Sequence, residues 1–69
     1  MEAQRTRDGV KLMADGDKAA SKGMFRKPDW DIAGGCYEKA GVAFKTGKAY
    51  DQAIQAYFKA SDAMFKADA

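Results

Sequence analysis

Sixty-nine residues with one cysteine and no histidine make at most one small domain. A chain of this size buries only about 60% of the surface its unfolded form exposes. A lone thiol excludes an internal disulfide framework, and the missing histidine removes the commonest general base and metal ligand. Zinc chemistry, nucleophilic catalysis and a bound cofactor are therefore not expected, and the chain reads as non-enzymatic. A net charge of +2 is too small for a dedicated nucleic-acid binder.

The charge is unevenly placed. Residues 1–27 carry seven Lys/Arg against four acids, whereas residues 28–69 carry five Lys against six acids. No apolar run approaches the roughly 20 residues that span a bilayer. Glu2, Arg5, Arg7 and Asp8 interrupt any signal-peptide core. A soluble cytoplasmic chain is expected.

The pattern predicts three helices and an all-α fold. The first runs from about Ala3 to Lys22. Its apolar stripe is narrow, Val10 with Met13, Ala14 and Ala20, and Gly9 and Gly16 each cost it about 1 kcal/mol relative to alanine. All eight aromatic residues lie at or beyond Phe25, so this helix brings no large anchor and needs a neighbour. A loop over residues 23–29 follows, closed by Pro28, which stops helix propagation and biases Lys27 toward an extended form. Asp29 or Asp31 can cap the next helix, with Trp30 packed at that corner.

The second helix is predicted from about 30 to 46, with Ala33, Tyr37, Ala40, Gly41 and Phe44 on one face. Gly47 ends it. The short bridge through Lys48 and Ala49 forces the third helix, about 50 to 66, to fold back antiparallel. Tyr50, Ala53, Ile54, Tyr57, Ser61, Met64 and Phe65 form the expected buried stripe of that helix. Asp51, Gln55, Lys59, Asp62 and Lys66 form its solvated face. Phe58 lies off the stripe and is expected to await a further helix.

Tyr37, Ala40, Gly41 and Phe44 follow the spacing W-x₂-L-G-x₂-Y, and Tyr50, Ala53, Tyr57 and Ala60 supply the aromatic and small positions of the partner helix. These eight residues define the expected core of a tetratricopeptide-like hairpin, in which small residues let two helices approach and rings fill the gaps. Such hairpins are units of an α-solenoid, and one and a half of them suggest the start of a longer array. Gly34-Gly35 lacks the strand and the Gly-Lys-Ser/Thr of a phosphate loop and reads as a close-packing site. Cys36 reads as a small apolar residue in a reducing compartment, with a reactive thiol as the other reading.

Met24 and Phe25 are apolar and lie beside Lys22, Arg26 and Lys27, with Lys18 a turn earlier. Two readings stand. Phe25 tucks under the first hairpin, or the tip touches an anionic membrane weakly, each basic residue adding about 1 kcal/mol at the surface.

The chain also resembles the soluble NSF attachment proteins, their gamma branch more than their alpha branch. Ala3-Gln4 and Gly9 begin the match. Lys27-Pro28-Asp29-Trp30-Asp31 is similar to the gamma branch's Lys-Pro-Asp-Tyr-Asp. Tyr37-Glu38-Lys39-Ala40, Val42-Ala43-Phe44-Lys45 and Tyr50-Asp51-Gln52-Ala53 continue it in register. The resemblance implies a non-enzymatic adaptor in vesicular transport. Through the full-length protein it would line a SNARE bundle and recruit the ATPase NSF for disassembly. It implies a membrane-contact loop at Met24, Phe25, Arg26 and Lys27. Lys11, Lys18 and Lys22 are expected to steer the chain toward acidic bundles or lipids. The alternative is an unrelated tetratricopeptide-like module that binds a peptide, such as a co-chaperone.

Overall fold

The computed structural model describes residues 2–21 and 28–68. It is all-α: α1 spans Glu2–Ala20, α2 spans Trp30–Thr46 and α3 spans Tyr50–Asp68. The helices form an antiparallel series with α2 in the middle, packed on α1 by one flank and on α3 by the other. The array measures 39 × 20 × 13 Å, so its thinnest dimension is close to one helix diameter. Among the described residues this single layer of helices has no second layer to cover its faces.

Local chemistry sets the ends of α2. The Asp29 carboxylate accepts the backbone N–H of Ile32 at 3.2 Å, and Asp31 adds negative charge in the first turn. Asp29 rather than Asp31 is thus the cap. The Asp29 N–H itself donates to the Ala19 carbonyl at 3.0 Å, which ties the end of α1 to the start of α2.

At the other end a Schellman turn closes the helix: Ala49 N–H donates to Phe44 O at 2.8 Å and Lys48 N–H to Lys45 O at 3.0 Å. The left-handed residue of this turn is Lys48, with φ 64°, and not Gly47, whose φ is −81°. Gly47 is needed for space. A Cβ there would lie 2.6 Å from the Thr6 hydroxyl and 2.8 Å from the Glu2 carbonyl, where α1 crosses the end of α2.

Two rings of α2 organise the core. Phe44 is 2% exposed and packs with Ala40, Ala53 and Ala56, with Leu12, Met13 and Ala49 at its edge. Tyr37 is 5% exposed and packs with Ala19, Ala33, Ala60 and Ala63, with Met13, Ala20 and Trp30 beside it. Each ring meets glycine on the α1 side: a Cβ on Gly9 would come within 2.6 Å of Phe44, and one on Gly16 within 2.6 Å of Tyr37. The buried positions of α1 are therefore Gly9, Gly16 and Ala19. This corrects the stripe expected from hydrophobicity: Met13 and Ala20 are half-buried, but Val10 and Ala14 face solvent. The two glycines weaken the isolated helix through backbone entropy, but in the fold their vacant side-chain positions receive the rings of α2.

In α3 the buried line is Ala53, Ala56, Ala60 and Ala63. Tyr50, Ile54, Ser61 and Phe65, expected in this stripe, are exposed, and Met64 is 42% exposed. Tyr50 is therefore no part of the hairpin core. Tyr57 is intermediate in role: its ring covers Gly41 on one side yet stays 39% exposed. Close approach of α3 to α2 selects the small residues, and the large ones are displaced to the flank and the outer face. Tyr37, Ala40, Gly41, Phe44, Ala53 and Ala60 are buried. Gly34 packs under Met64, whereas Gly35 has open space where a Cβ would stand.

Candidate functional site

The membrane-contact residues Met24, Phe25, Arg26 and Lys27, together with Lys22, lie outside the described residues. The rest of the basic region lies on α1. Lys11 and Lys18 are exposed on α1, seven positions apart and hence on one face. Arg7 lies one turn before Lys11 on the same face and is also exposed. The three cations form a stripe on the outer surface of α1, opposite Gly9, Gly16 and Ala19. Charge counting found the basic excess in this region but passed over Arg7. The i, i+4, i+11 spacing was the signal that could have included it.

A polar cluster joins all three helices. The Tyr37 hydroxyl of α2 donates to the Asp17 carboxylate of α1 at 2.5 Å. The Lys59 ammonium of α3 donates to the same oxygen at 3.1 Å. That ammonium also stands 5.5 Å from the Tyr37 ring centroid. The phenol's hydrogen bond, helped by the Lys59 charge, holds the Asp17 carboxyl below its ordinary range. Burial, with the Asp17 carboxylate alongside, pushes the Tyr37 phenol well above its ordinary range. Lys59 belongs to the helix face expected to be merely solvated, so the sequence pattern alone did not expose this link.

The linkage has a defined sign. The folded pKa of Asp17 lies below its unfolded value of about 3.9, so its contribution is present above about pH 4 and is lost as pH falls through the folded pKa. The folded pKa of Tyr37 lies above its unfolded value of about 10, so stability falls as pH rises beyond about 10, where only the unfolded phenol ionises readily. Tyr37→Phe is expected to lower stability by about 1 kcal/mol at neutral pH, the modest end for a charge-assisted hydrogen bond because Asp17 remains half in water. It should also flatten both limbs of the stability–pH curve. Urea melts from acid to alkaline pH check this, and identical curves for the two proteins would contradict it.

Two turns along the same side of the α2–α3 pair, Lys66 stands 4.6 Å from the Trp30 ring centroid while bonded to Asp62 at 3.1 Å. Trp30 thus packs at the start of α2 as its position suggested, with Lys66 as its cover. A shallow cavity of about 290 Å³ beside it is lined by Pro28, Asp29, Trp30, Asp31, Lys66 and Ala67. Cys36 is a free, half-buried thiol. Among the described residues no group of three or more His, Cys, Asp or Glu is placed to hold a metal ion, and no helix is long and apolar enough to cross a membrane. The arrangement offers surfaces and a clasp between helices, which suits binding.

No protein-family model and no solved structure matches the chain. It is similar to the gamma-soluble NSF attachment protein of Dictyostelium discoideum, with 37% identity over 62 residues. The matched stretch takes in 88% of this chain and 19% of that relative, so the chain spans about a fifth of the relative's length.

Proposed function

We propose that the chain forms part of an adaptor of the soluble NSF attachment protein type, acting in vesicular transport without catalysis of its own. The observation that carries this reading is the 37% identity, which runs through 88% of the chain. The antiparallel helical series with a ring-and-alanine core supports it, because such a layer can be extended into a long binding surface. In this reading the full-length protein lines a SNARE bundle and recruits NSF. The chain supplies the α1 stripe of Arg7, Lys11 and Lys18, which with Lys22 draws it toward acidic bundles or anionic lipid. Met24, Phe25, Arg26 and Lys27 make a weak membrane contact that matters once the bundle already holds the protein at the bilayer. The protein is then cytoplasmic and peripherally associated with membranes. The co-chaperone reading draws less support, since the basic stripe lies on the outer face of α1 and not in a groove that could clamp a peptide carboxylate.

The test is capture by assembled SNARE bundles, paired with flotation on vesicles with and without anionic lipid. Capture is expected to be weak and salt-sensitive, and to fall about tenfold in the variant carrying Arg7→Glu, Lys11→Glu and Lys18→Glu. Flotation should require anionic lipid and be lost in Met24→Ser/Phe25→Ser. Capture untouched by charge reversal would sink the steering role, and flotation on neither vesicle would remove the membrane contact.

A further inference from the structure

The three helices are not held equally. On α1 the buried positions are Gly9, Gly16 and Ala19, with Leu12, Met13 and Ala20 half-buried, so this helix fully buries no side chain larger than alanine. Its two glycines also make it a poor helix by itself. Its seat comes from the other side, where Phe44 and Tyr37 of α2 enter the two glycine notches. Helices α2 and α3 meet differently. Ala53, Ala56, Ala60 and Ala63 lie buried along α3, Tyr57 covers Gly41, Met64 covers Gly34, and the Schellman turn at 44–49 joins the pair closely. Both α1 and α3 pack on α2, and among the described residues the hydrogen-bonded link between them is Lys59 to Asp17 at 3.1 Å, about half exposed at both ends. The further polar ties of α1 are the Tyr37 hydroxyl on the same Asp17 carboxylate, the exposed Glu2–Lys48 pair at 3.5 Å and the Asp29 N–H on the Ala19 carbonyl.

We infer that α1 is a strap that opens as one unit from the α2–α3 hairpin, with the Asp17–Lys59 pair as its latch. Opening withdraws the glycine notches and bares the Tyr37 and Phe44 rings on α2. That loss of burial keeps the strap closed most of the time. Opening still costs less than unfolding the whole chain, because the alanine line of α3, the covers over Gly34 and Gly41 and the 44–49 turn all stay in place. Once free, α1 does not stay helical, since a 19-residue segment carrying Gly9 and Gly16 has too little propensity to hold a helix in water. Its turns are therefore lost together, which distinguishes opening from a fraying end. Whatever engages the Lys59 ammonium or the Asp17 carboxylate from outside breaks the latch and biases the strap open. The device follows from the packing of the three helices and does not depend on the adaptor reading.

Native-state hydrogen exchange of the 69-residue chain, followed amide by amide by NMR, tests the strap. The amides of residues 10–19 in α1 are expected to exchange at one common level, about tenfold or more faster than the slowest amides of α2 and α3. Two variants separate local opening from global unfolding. Lys59→Gln breaks a contact that both processes lose, so it should speed the slow amides of all three helices about threefold. Met64→Ala weakens only the α2–α3 pair, which stays closed when the strap opens. It should speed the slowest amides of α2 and α3 about fivefold and leave those of α1 unchanged. Equal protection in the three helices, or an α1 that responds to Met64→Ala as strongly as α2 and α3 do, overturns the strap. Protection that climbs steadily from residue 2 to residue 20 overturns it too, as fraying from one end. Exchange of α1 that is untouched by Lys59→Gln overturns the latch.

Discussion

Phe44→Ala is expected to remove 3–5 kcal/mol of stability, in the usual range for a fully buried phenylalanine. A domain of this length has about 3–10 kcal/mol in total, so the variant should be largely unfolded near room temperature. The size of the effect follows from position. Phe44 is the one large side chain at full burial among the described residues, and it touches every helix: Gly9 on α1, Ala40 on its own helix, Ala53 and Ala56 on α3. Its buried neighbours are alanines and a glycine, so only Leu12 and Met13 at its edge have side chains long enough to move toward the cavity. The contrast is Phe65→Ala. That ring is 66% exposed, and in dilute solution its loss should change stability by less than about 0.5 kcal/mol. Urea melts at low micromolar concentration, followed by circular dichroism, measure both. Equal losses at the two positions would mean that α3 presents a different face to α2.

Gly9→Ala and Gly16→Ala are expected to destabilise the fold by about 1–3 kcal/mol each, against the direction helix propensity alone would give. Alanine should strengthen an isolated helix by about 1 kcal/mol at either site. In the fold, the new methyl at position 9 would meet three atoms of the Phe44 ring at 2.6–2.9 Å, and that at position 16 would meet the Tyr37 ring from 2.6 Å. Neither ring can give way easily, since Phe44 is enclosed and Tyr37 is anchored through its hydroxyl to Asp17. Overpacking therefore outweighs propensity. Gly35→Ala isolates the propensity term: nothing lies within 4 Å of its would-be Cβ, and the substitution should stabilise by roughly 0.5–1 kcal/mol. Thermal melts of the three variants separate the two forces. If all three proteins melt higher than the parent, α1 is not seated on the rings of α2.

These contrasts mark what could be read from the chain and what could not. The helices were legible because their signals are local. Pro28 with the Asp29 cap, Gly47 at the end of α2 and the regular spacing of apolar residues place α2 at Trp30–Thr46 and fold α3 back on it. The face of α2 carrying Ala33, Tyr37, Ala40, Gly41 and Phe44 was legible too, since that helix is apolar along one continuous flank. On α1 and α3 the same reasoning found Met13, Ala20, Ala53 and Ala60 but added residues that face solvent. Ranking by hydrophobicity favours Val10, Tyr50, Ile54 and Phe65, whereas helices in close contact need small side chains where the rings of a neighbour enter.

The sequence by itself thus determined the secondary structure, the antiparallel order and the family resemblance, all of which depend on neighbours along the chain. Only the tertiary structure decided that Gly9 and Gly16 line α1, and that Tyr50, Ile54 and Phe65 stay out of the alanine line of α3. It also joined Asp17, Tyr37 and Lys59 in one cluster, across separations of 20 and 42 residues. The physical reason is that α3 carries two apolar arcs, alanine and aromatic. Which arc is buried depends on how near its axis comes to that of α2, a distance no single helix encodes.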